Sequence, residues 1–325
     1  MAASKRRYLT IFLIFIGIAL LLLFEQKNIV PRRYSMTVLK TGNDILISYR
    51  YKKNTDMHLV MGKCGVNQLV GIKGIYLDTN YTNEILPWRT SRAINFISAC
   101  TDWIGPYMVK AIEYDDGGKP AFTGGWHGSK VNGKEEPTAY TENLSVVIDD
   151  EELQDNKVYY CNYVQIKITN YIQAYNTKDI KLNVLKEDVK YDITPNNVNV
   201  EVVSTALEKV LLQRYYGLQA QNGDFERIEY SNGITAKCKE YSDSGPYNKN
   251  NIVHSFELIS KDNEYKMIVS LDTGFGLGSF EYLSGDKPTV FTQEYGKTYF
   301  NLVNGVDKII EKDDSIKWRG SYEFK

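Results

Sequence analysis

The sequence is poor in the residues that most metal and redox sites require. It has three histidines and four cysteines in 325 residues, and the cysteines are too widely spaced for a CxxC site. The histidines are too dispersed for an HExxH zinc motif, and the sequence also lacks the serine-hydrolase pattern GxSxG and a P-loop. We therefore expect neither a metal nor another cofactor.

An excess of charge of either sign is also missing. With 39 basic and 40 acidic residues, the chain has no net positive field to attract nucleic acid, so we expect no nucleic-acid partner. Cys64, Cys100, Cys161 and Cys238 could form up to two disulfides in three pairings, or could remain buried thiols. The spacing leaves these alternatives open.

Helical patterns are scarce, with one exception at the N-terminus. The basic residues of 1–8 precede the apolar run LTIFLIFIGIALLLLF at 9–24, which is near the short end of the length that crosses a bilayer. The basic flank favours a cytoplasmic N-terminus. No small-x-small cleavage site follows the run, although a cleaved signal peptide remains the alternative. The sequence predicts a cytoplasmic tail at 1–8, a single-pass cell-membrane anchor at 9–24, a juxtamembrane linker at 25–33 and an extracytoplasmic domain at 34–325.

Segments rich in Val, Ile, Tyr and Thr fill this domain and alternate with clusters of Asn, Asp and Gly, a pattern typical of all-β proteins. The clearest segment is KVYYCNYVQIKITNYI at 157–172, which predicts one strand with two distinct faces. The face expected to be buried carries Val158, Tyr160, Val164, Ile166 and Ile168, and the opposite face carries Tyr159, Tyr163, Gln165 and Lys167. Further strands are predicted within 199–203, 207–218, 252–259, 265–272 and 298–303.

The loop FTGGWHGSK at 122–130 places His127 beside Trp126 between glycines. Histidine exchanges a proton near neutral pH, an indole ring can stack on a sugar, and glycine lets the backbone approach a ligand closely. Nearby polar stretches at 100–111 and 137–150 add Asp102, Trp103 and Tyr140 as candidate contacts. The structural alternatives are a simple tight turn for His127 and a core position for Trp103.

Two later stretches add aromatic and basic groups that suit sugar binding. LLQRYYGLQAQ at 211–221 contains Arg214 and Tyr216, and TQEYGKTYFNLVN at 292–304 contains Lys297. Aromatic faces stack on the apolar side of sugar rings while polar groups bind the hydroxyls. The alternative is that tyrosine is simply favoured in strands.

Three stretches in order resemble the strand motifs of jelly-roll alginate lyases. They are RTSRA at 89–93, VQIK at 164–167 and YGKTYF at 295–300, against family patterns of R-x-E-x-R, Q-[IV]-H and Y-x-K-x-G-x-Y. Lys167 stands where the family has histidine, and the last stretch lacks the family's glycine. FTGGWHGS, YYGLQ and WRGSYEF are also similar to stretches of exported bacterial β-sandwich proteins. The resemblance implies a jelly-roll-like antiparallel β-sandwich and a polysaccharide lyase.

A lyase of this kind removes the C5 proton beside a uronate carboxylate. It needs a group that neutralises the carboxylate, a base, and an acid for the leaving oxygen. The resemblance implies Arg89 or Arg92 together with Gln165 for neutralisation, and His127 and Tyr299 for base and acid. The expected partner is a polysaccharide or cell-surface glycan, held by Trp126, Trp103, Asp102, Tyr140, Tyr163, Lys167, Arg214, Tyr216 and Lys297.

Two other functions fit the same sequence. A non-catalytic glycan-binding module needs only the aromatic face, and a glycoside hydrolase needs paired carboxylates, for which Asp102, Glu113 and Glu208 are available. The lyase requires His127, Tyr299 and an arginine to converge in one cleft. Tyrosines spread over a shallow face would favour the binding module instead.

Overall fold

Strands make up most of the chain that the structure, a computed structural model, describes. The described residues are 34–85, 87, 94–97, 101–114, 119–131, 134–149, 151–223, 225–238, 252–293 and 295–325. The predicted tail, anchor and linker at 1–33 lie outside them. In these ranges no helix has the length and apolar character to span a membrane.

Among the described residues, the secondary structure comprises 22 strands and two short 3-10 helices. The first eleven strands are β1 (Met36–Thr41), β2 (Asp44–Lys52), β3 (Thr55–Cys64), β4 (Leu69–Thr79), β5 (Ile94–Ile97), β6 (Tyr107–Ala111), β7 (Ser129–Val131), β8 (Lys134–Glu136), β9 (Ala139–Ile148), β10 (Glu151–Glu152) and β11 (Val158–Cys161). The others are β12 (Val164–Gln173), β13 (Asn183–Thr194), β14 (Asn197–Ala206), β15 (Val210–Gln221), β16 (Arg227–Tyr230), β17 (Thr235–Lys237), β18 (Ser255–Ile259), β19 (Lys266–Leu271), β20 (Val290–Gln293), β21 (Lys297–Ile310) and β22 (Ser315–Phe324). The 3-10 helices are Lys178–Ile180 and Gly276–Ser279.

Antiparallel pairing arranges the strands in four sheets. Their orders are β11-β1-β2-β3-β4-β5, β10-β9-β12-β13-β14-β22-β19-β18-β16-β17, β20-β21-β15-β6 and β7-β8. The predicted all-β, antiparallel architecture is confirmed. The order differs from a jelly roll, which interleaves two Greek keys, because β1 to β5 follow one another as a simple meander of hairpins.

One hydrophobic core joins the three larger sheets. Ile47 from the six-stranded sheet, Val200 from the ten-stranded sheet and Phe300 from the four-stranded sheet belong to the same buried cluster. Residues 35–325 form a single compact unit. The strands predicted within 199–203, 207–218, 252–259, 265–272 and 298–303 correspond to β14, β15, β18, β19 and β21.

The strand predicted at 157–172 is in fact two strands in different sheets. The chain leaves β11 and enters β12 at Asn162 and Tyr163, whose backbone N–H groups donate to the Asp149 carboxylate. This break reverses the alternation, so that Tyr159 is buried and Tyr160 is 60% exposed, opposite to the prediction. Val158, also expected inside, is only half-buried. The predicted burial of Val164, Ile166 and Ile168 in β12 is correct.

The three cysteines that the structure describes have two different states, and Cys100 lies outside the described residues. Cys64 is disulfide-bonded, and Cys161 and Cys238 are buried thiols. Burial raises the pKa of the Cys161 thiol to about 12, so this thiol is unreactive at neutral pH.

Buried His58 makes the stability of the six-stranded sheet sensitive to acid. Its Nδ1 lies 2.7 Å from the Ser48 hydroxyl, and burial lowers its pKa from 6.5 to about 4 against the opposing effect of the Asp78 carboxylate. Below pH 6.5 the unfolded chain binds a proton that the folded protein does not. We expect the stability to fall as the pH drops from 6.5 toward 4, by on the order of 3 kcal/mol.

Urea unfolding over this pH interval measures the effect. His58→Gln should flatten the decline, because the substituted residue does not titrate. His254 is exposed, so His254→Gln is the matched control and should retain the decline. An equally steep decline in His58→Gln would show that other groups cause the acid sensitivity.

Candidate functional site

An open pocket of about 340 Å³ lies where β15 and β21 meet two loops. It is lined by Thr101, Asp102, Trp126, His127, Gln221, Tyr295, Lys297 and Tyr299. Antiparallel pairing places Gln221, at the end of β15, opposite Lys297, at the start of β21. The loop before β6 contributes Asp102, and the loop between β6 and β7 contributes His127. Segments far apart in the sequence therefore build one site.

A buried ion pair forms the floor of the pocket. Lys297 Nζ lies 2.5 Å from Oδ1 of Asp102 and donates to the Thr101 hydroxyl at 2.9 Å. The two charged side chains are 5% and 7% exposed. Burial lowers the pKa of Lys297, and the Asp102 carboxylate opposes that effect. The pair fixes the orientation of the carboxylate and leaves its second oxygen facing away from the lysine.

His127 stands beside that second oxygen. Its Nε2 is 3.8 Å from Asp102 Oδ2, and its side chain is 45% exposed. Burial and the Lys297 charge lower the pKa of His127, while the carboxylates of Asp102 and Glu135 raise it, and the net direction is downward from 6.5. The imidazole is therefore mainly neutral at pH 7. The neighbouring carboxylate favours the proton on Nε2, which leaves a lone pair on Nδ1.

Two tyrosines complete the pocket on the side of β21. The hydroxyls of Tyr295 and Tyr299 are 2.5 Å apart. Tyr299 is buried and stacks on Phe291 at 4.9 Å between ring centroids, whereas Tyr295 is 67% exposed. Burial, then the hydrogen bond with Tyr295, raises the pKa of Tyr299 well above its ordinary value. Tyr299 is therefore a neutral proton donor, and Tyr295 carries the more accessible hydroxyl of the two.

A chain of aromatic rings connects the histidine to the tyrosines. Phe122 lies 5.5 Å from the His127 ring and 5.3 Å from Tyr216, and Tyr216 lies 5.3 Å from Tyr299. The guanidinium of Arg214 is 6.0 Å from the centre of Phe122. Within the described ranges Arg214 has no ion-pair partner. Its positive charge is thus available next to the pocket.

The side-chain amide of Asn67 holds the loop that carries His127. Its Nδ2 donates to the carbonyls of Gly125 (2.9 Å) and His127 (3.0 Å), and its Oδ1 accepts from the N–H groups of Thr138 and Ala139. The Thr138 hydroxyl also donates to the His127 carbonyl at 2.6 Å. Sequence reasoning missed Asn67, because nothing in its local sequence distinguishes it from an ordinary turn asparagine.

Contacts within the protein require glycine at two positions of this loop. Gly125 has a φ of +51°, and a Cβ there would lie 3.0 Å from Asp102 Oδ2. At Gly128 a Cβ would lie 2.5 Å from Val66 and 2.6 Å from the Glu136 carbonyl. Glycine at position 125 therefore leaves room for the Asp102 carboxylate beside the loop, and glycine at 128 lets the chain pass against Val66 and Glu136.

Replacing Gly125 with alanine should destabilise the protein by more than backbone strain alone explains. Gly42 is the matched control, because its φ is +59° and a Cβ there would meet nothing within 4 Å. Gly42→Ala should cost about 1 kcal/mol, the strain of an L-residue in the left-handed region. Gly125→Ala should cost more, since the methyl group also pushes on Asp102. Equal losses in urea unfolding of the two variants would contradict this account.

Seven of the fourteen predicted site residues lie in or beside this pocket. His127, Tyr299, Trp126, Asp102 and Lys297 line the pocket, and Tyr216 and Arg214 adjoin it through Phe122. Arg89 and Arg92 lie outside the described residues. Tyr295 and Gln221 are pocket residues that the prediction did not include. Tyr295 could have been found, because it stands two residues before Lys297.

The remaining candidates lie elsewhere. Gln165 Nε2 donates to the Tyr163 hydroxyl (2.8 Å) and to Asp192 (2.9 Å) on the ten-stranded sheet. Lys167 is exposed on the same sheet, and Tyr140 stacks on Tyr171 there. Trp103 is 2% exposed and packs edge-on against Tyr322, so its predicted role as a substrate contact is replaced by a core position.

Comparison with known proteins finds only distant structural similarity. No protein-family model and no curated protein sequence matches the chain. Among solved structures, the GH36 alpha-galactosidase AgaB from Geobacillus stearothermophilus is 10% identical with a TM-score of 0.40, and the match covers 90% of this chain and 40% of that chain. A putative aldose 1-epimerase from Escherichia coli K12 is 8% identical with a TM-score of 0.38, covering 90% and 99%.

A putative mutarotase from Salmonella typhimurium is also similar, at 8% identity and a TM-score of 0.35, with 89% of this chain and 93% of that chain covered. The chain thus spans less than half of the galactosidase and nearly all of the two smaller proteins. At these values the function has to be inferred from the residues of the pocket.

Proposed function

We propose that the pocket binds an acidic polysaccharide and cleaves it by β-elimination. The observation that carries the proposal is the convergence of a neutral imidazole and a pair of tyrosine hydroxyls in one open pocket. Proton abstraction from carbon and protonation of a leaving oxygen require these two kinds of group.

The roles follow from exposure and charge. His127, half-exposed and neutral, takes the proton from C5 of a uronate onto Nδ1. The electron pair of the C–H bond forms the C4–C5 double bond, and the C4–O bond breaks. The leaving oxygen takes a proton from the hydroxyl of Tyr295, which keeps its hydrogen bond to Tyr299 and is reprotonated by solvent water. Asp102 stabilises the imidazolium that forms, as an adjacent carboxylate does in other acid–base sites.

An acidic substrate is favoured by the position of Arg214. Its guanidinium lies one aromatic ring away from His127 and is not neutralised by a carboxylate of the described chain. Lys297 is less suited to this role, because it is buried and already paired with Asp102. Arg214 therefore replaces Arg89, Arg92 and Gln165 as the group that we assign to the substrate carboxylate.

Sugar recognition is assigned to the two exposed aromatic side chains of the pocket. Trp126 is 39% exposed and Tyr295 is 67% exposed, and both offer ring faces for stacking. This feature alone would serve a non-catalytic glycan-binding module, which is the second candidate. A glycoside hydrolase fits less well, since Asp102 is the single carboxylate among the described residues that line the pocket, and Glu208 pairs with Lys312.

Incubating the domain with a panel of acidic polysaccharides tests the reaction. Elimination creates an unsaturated uronate that absorbs ultraviolet light, whereas hydrolysis does not. We expect absorbance to rise with at least one acidic polymer and with no neutral one. Binding to the acidic polymers without any product, measured by affinity electrophoresis, would favour the binding module and contradict catalysis.

The cellular location remains a proposal that rests on sequence. We propose that 9–24 anchors the chain in the cell membrane with 34–325 outside, because basic residues precede the apolar run. Protease added to intact cells should then degrade the domain. Protection that disappears only on lysis would place the domain on the inner side.

A further inference from the structure

A second, smaller cavity shares Thr101, Asp102 and Trp126 with the pocket. Its volume is about 40 Å³, and its polar lining comes from Thr101, Asp102, Asn170, Glu187 and Tyr191. A cavity needs roughly 10–15 Å³ of this kind of volume, together with two to four polar partners, to hold a water molecule. Both requirements are met here.

Two buried polar atoms next to this cavity lack protein partners. Asp102 Oδ2 accepts no hydrogen bond from any described residue, and its distance of 3.8 Å to His127 Nε2 is too long for one. The indole nitrogen of Trp103, another residue of the cavity wall, is likewise buried without an acceptor in the described chain. A charged oxygen left unbonded in the interior is strongly unfavourable, so a donor at this position is expected.

Glu187 also lines this cavity and belongs to an extended polar network. One carboxyl oxygen lies 2.6 Å from the Tyr107 hydroxyl, and the other accepts from Asn170 Nδ2 at 2.8 Å. The Tyr107 hydroxyl in turn contacts those of Ser204 (2.6 Å) and Tyr215 (2.9 Å). Each carboxyl oxygen of Glu187 has a second lone pair, so it can bond a water in the cavity as well.

We propose that water bound in this cavity hydrogen-bonds both Asp102 Oδ2 and Glu187, which makes Glu187 a positioning residue for the Asp102–His127 pair. The water gives the buried carboxylate oxygen the donor that the protein does not supply. Glu187, fixed by Tyr107 and Asn170, holds the water in place. The catalytic part of this assignment rests on the proposed function, but the water and its effect on His127 do not.

The test has two parts. Nuclear magnetic resonance titrations measure the pKa of His127 in two Glu187 variants, and a crystal structure of the wild type shows whether the water is present. Glu187→Leu removes the anchor of the water and should raise the pKa of His127 by roughly half a pH unit or more, because the Asp102 charge is then less screened. Glu187→Gln keeps a polar side chain of the same size with one acceptor oxygen on the cavity wall and should leave the pKa closer to wild type than Glu187→Leu does. Electron density should show ordered water within hydrogen-bonding distance of Asp102 Oδ2.

A second variant covers the case in which Glu187→Leu does not fold. Val189→Ile fills the cavity, whose wall includes Val189, and should raise the His127 pKa in the same way. Val184→Ile makes the same change on the same strand away from the cavity and should have no effect. An empty cavity in well-resolved density, or a His127 pKa unchanged in both Val189→Ile and Glu187→Leu, would overturn the proposal. Since no readout uses turnover, a failed lyase assay does not affect it.

Discussion

His127→Ala should lose turnover of the acidic polymer by on the order of 100-fold or more, because a general base contributes about that factor or more. The fold should be retained, since the histidine is half-exposed and the loop is held through its backbone by Asn67 and Thr138. Polymer binding should also persist, because Trp126 and Tyr295 remain. The measurements are initial rates of ultraviolet absorbance and, separately, affinity electrophoresis.

His254→Ala is the matched control, as this histidine is exposed and does not line the pocket. It should have wild-type activity. Tyr295→Phe and Tyr299→Phe should both slow turnover, with the larger loss in Tyr295→Phe because that hydroxyl is the accessible one. Full activity in His127→Ala would remove the histidine from the mechanism and leave the glycine-rich loop as a structural turn.

Breaking the buried ion pair should have the largest effect on stability. Lys297→Met leaves the Asp102 carboxylate buried without its counter-charge, and the loss of one partner of such a pair costs about 3–5 kcal/mol. The His127 pKa should rise in this variant, because the Lys297 charge that lowers it is gone. Urea unfolding and a histidine titration measure the two effects.

The double variant Asp102→Asn with Lys297→Met decides whether Lys297→Met loses stability because the Asp102 charge is left uncompensated. It should be more stable than Lys297→Met alone, because neither charge is then left unpaired. Lys209, whose ion pair with Glu311 at 2.9 Å is solvent-exposed, provides the control, and Lys209→Met should cost less than about 1 kcal/mol. Similar losses of stability in Lys209→Met and Lys297→Met would contradict the claim that burial makes the Asp102–Lys297 pair costly to break.

The sequence predicted the fold class because period-two alternation is a local property. Ile166 and Ile168 alternate with polar residues over the length of β12, and the same holds for the segments that became β14 and β19. The break between β11 and β12 was not predictable in this way. It depends on contacts of Asn162 and Tyr163 with Asp149, and the flanking residues have the same β-forming character on both sides.

The site was predictable in part for a similar reason. His127 and Trp126 stood out as rare side chains in a glycine-rich loop, and Lys297 and Tyr299 as neighbours on one strand. Their meeting with Asp102 depends on the pairing of β15 with β21 and on the loop contacts of Asn67, which no local pattern encodes. Gln165 lies outside the pocket because β12 belongs to the ten-stranded sheet, and a short local motif such as VQIK does not reveal which sheet its strand joins.

The pH dependence of kcat/KM on the acidic polymer tests the central claim most directly. If neutral His127 is the base, kcat/KM should fall on the acid side with a pKa below the ordinary 6.5, matching the pKa of His127 in the free protein. Asp102→Asn should move this limb to lower pH, because the carboxylate that raises the His127 pKa is then neutral. A profile without an acid limb, or with a limb that Asp102→Asn leaves in place, would contradict catalysis by this histidine.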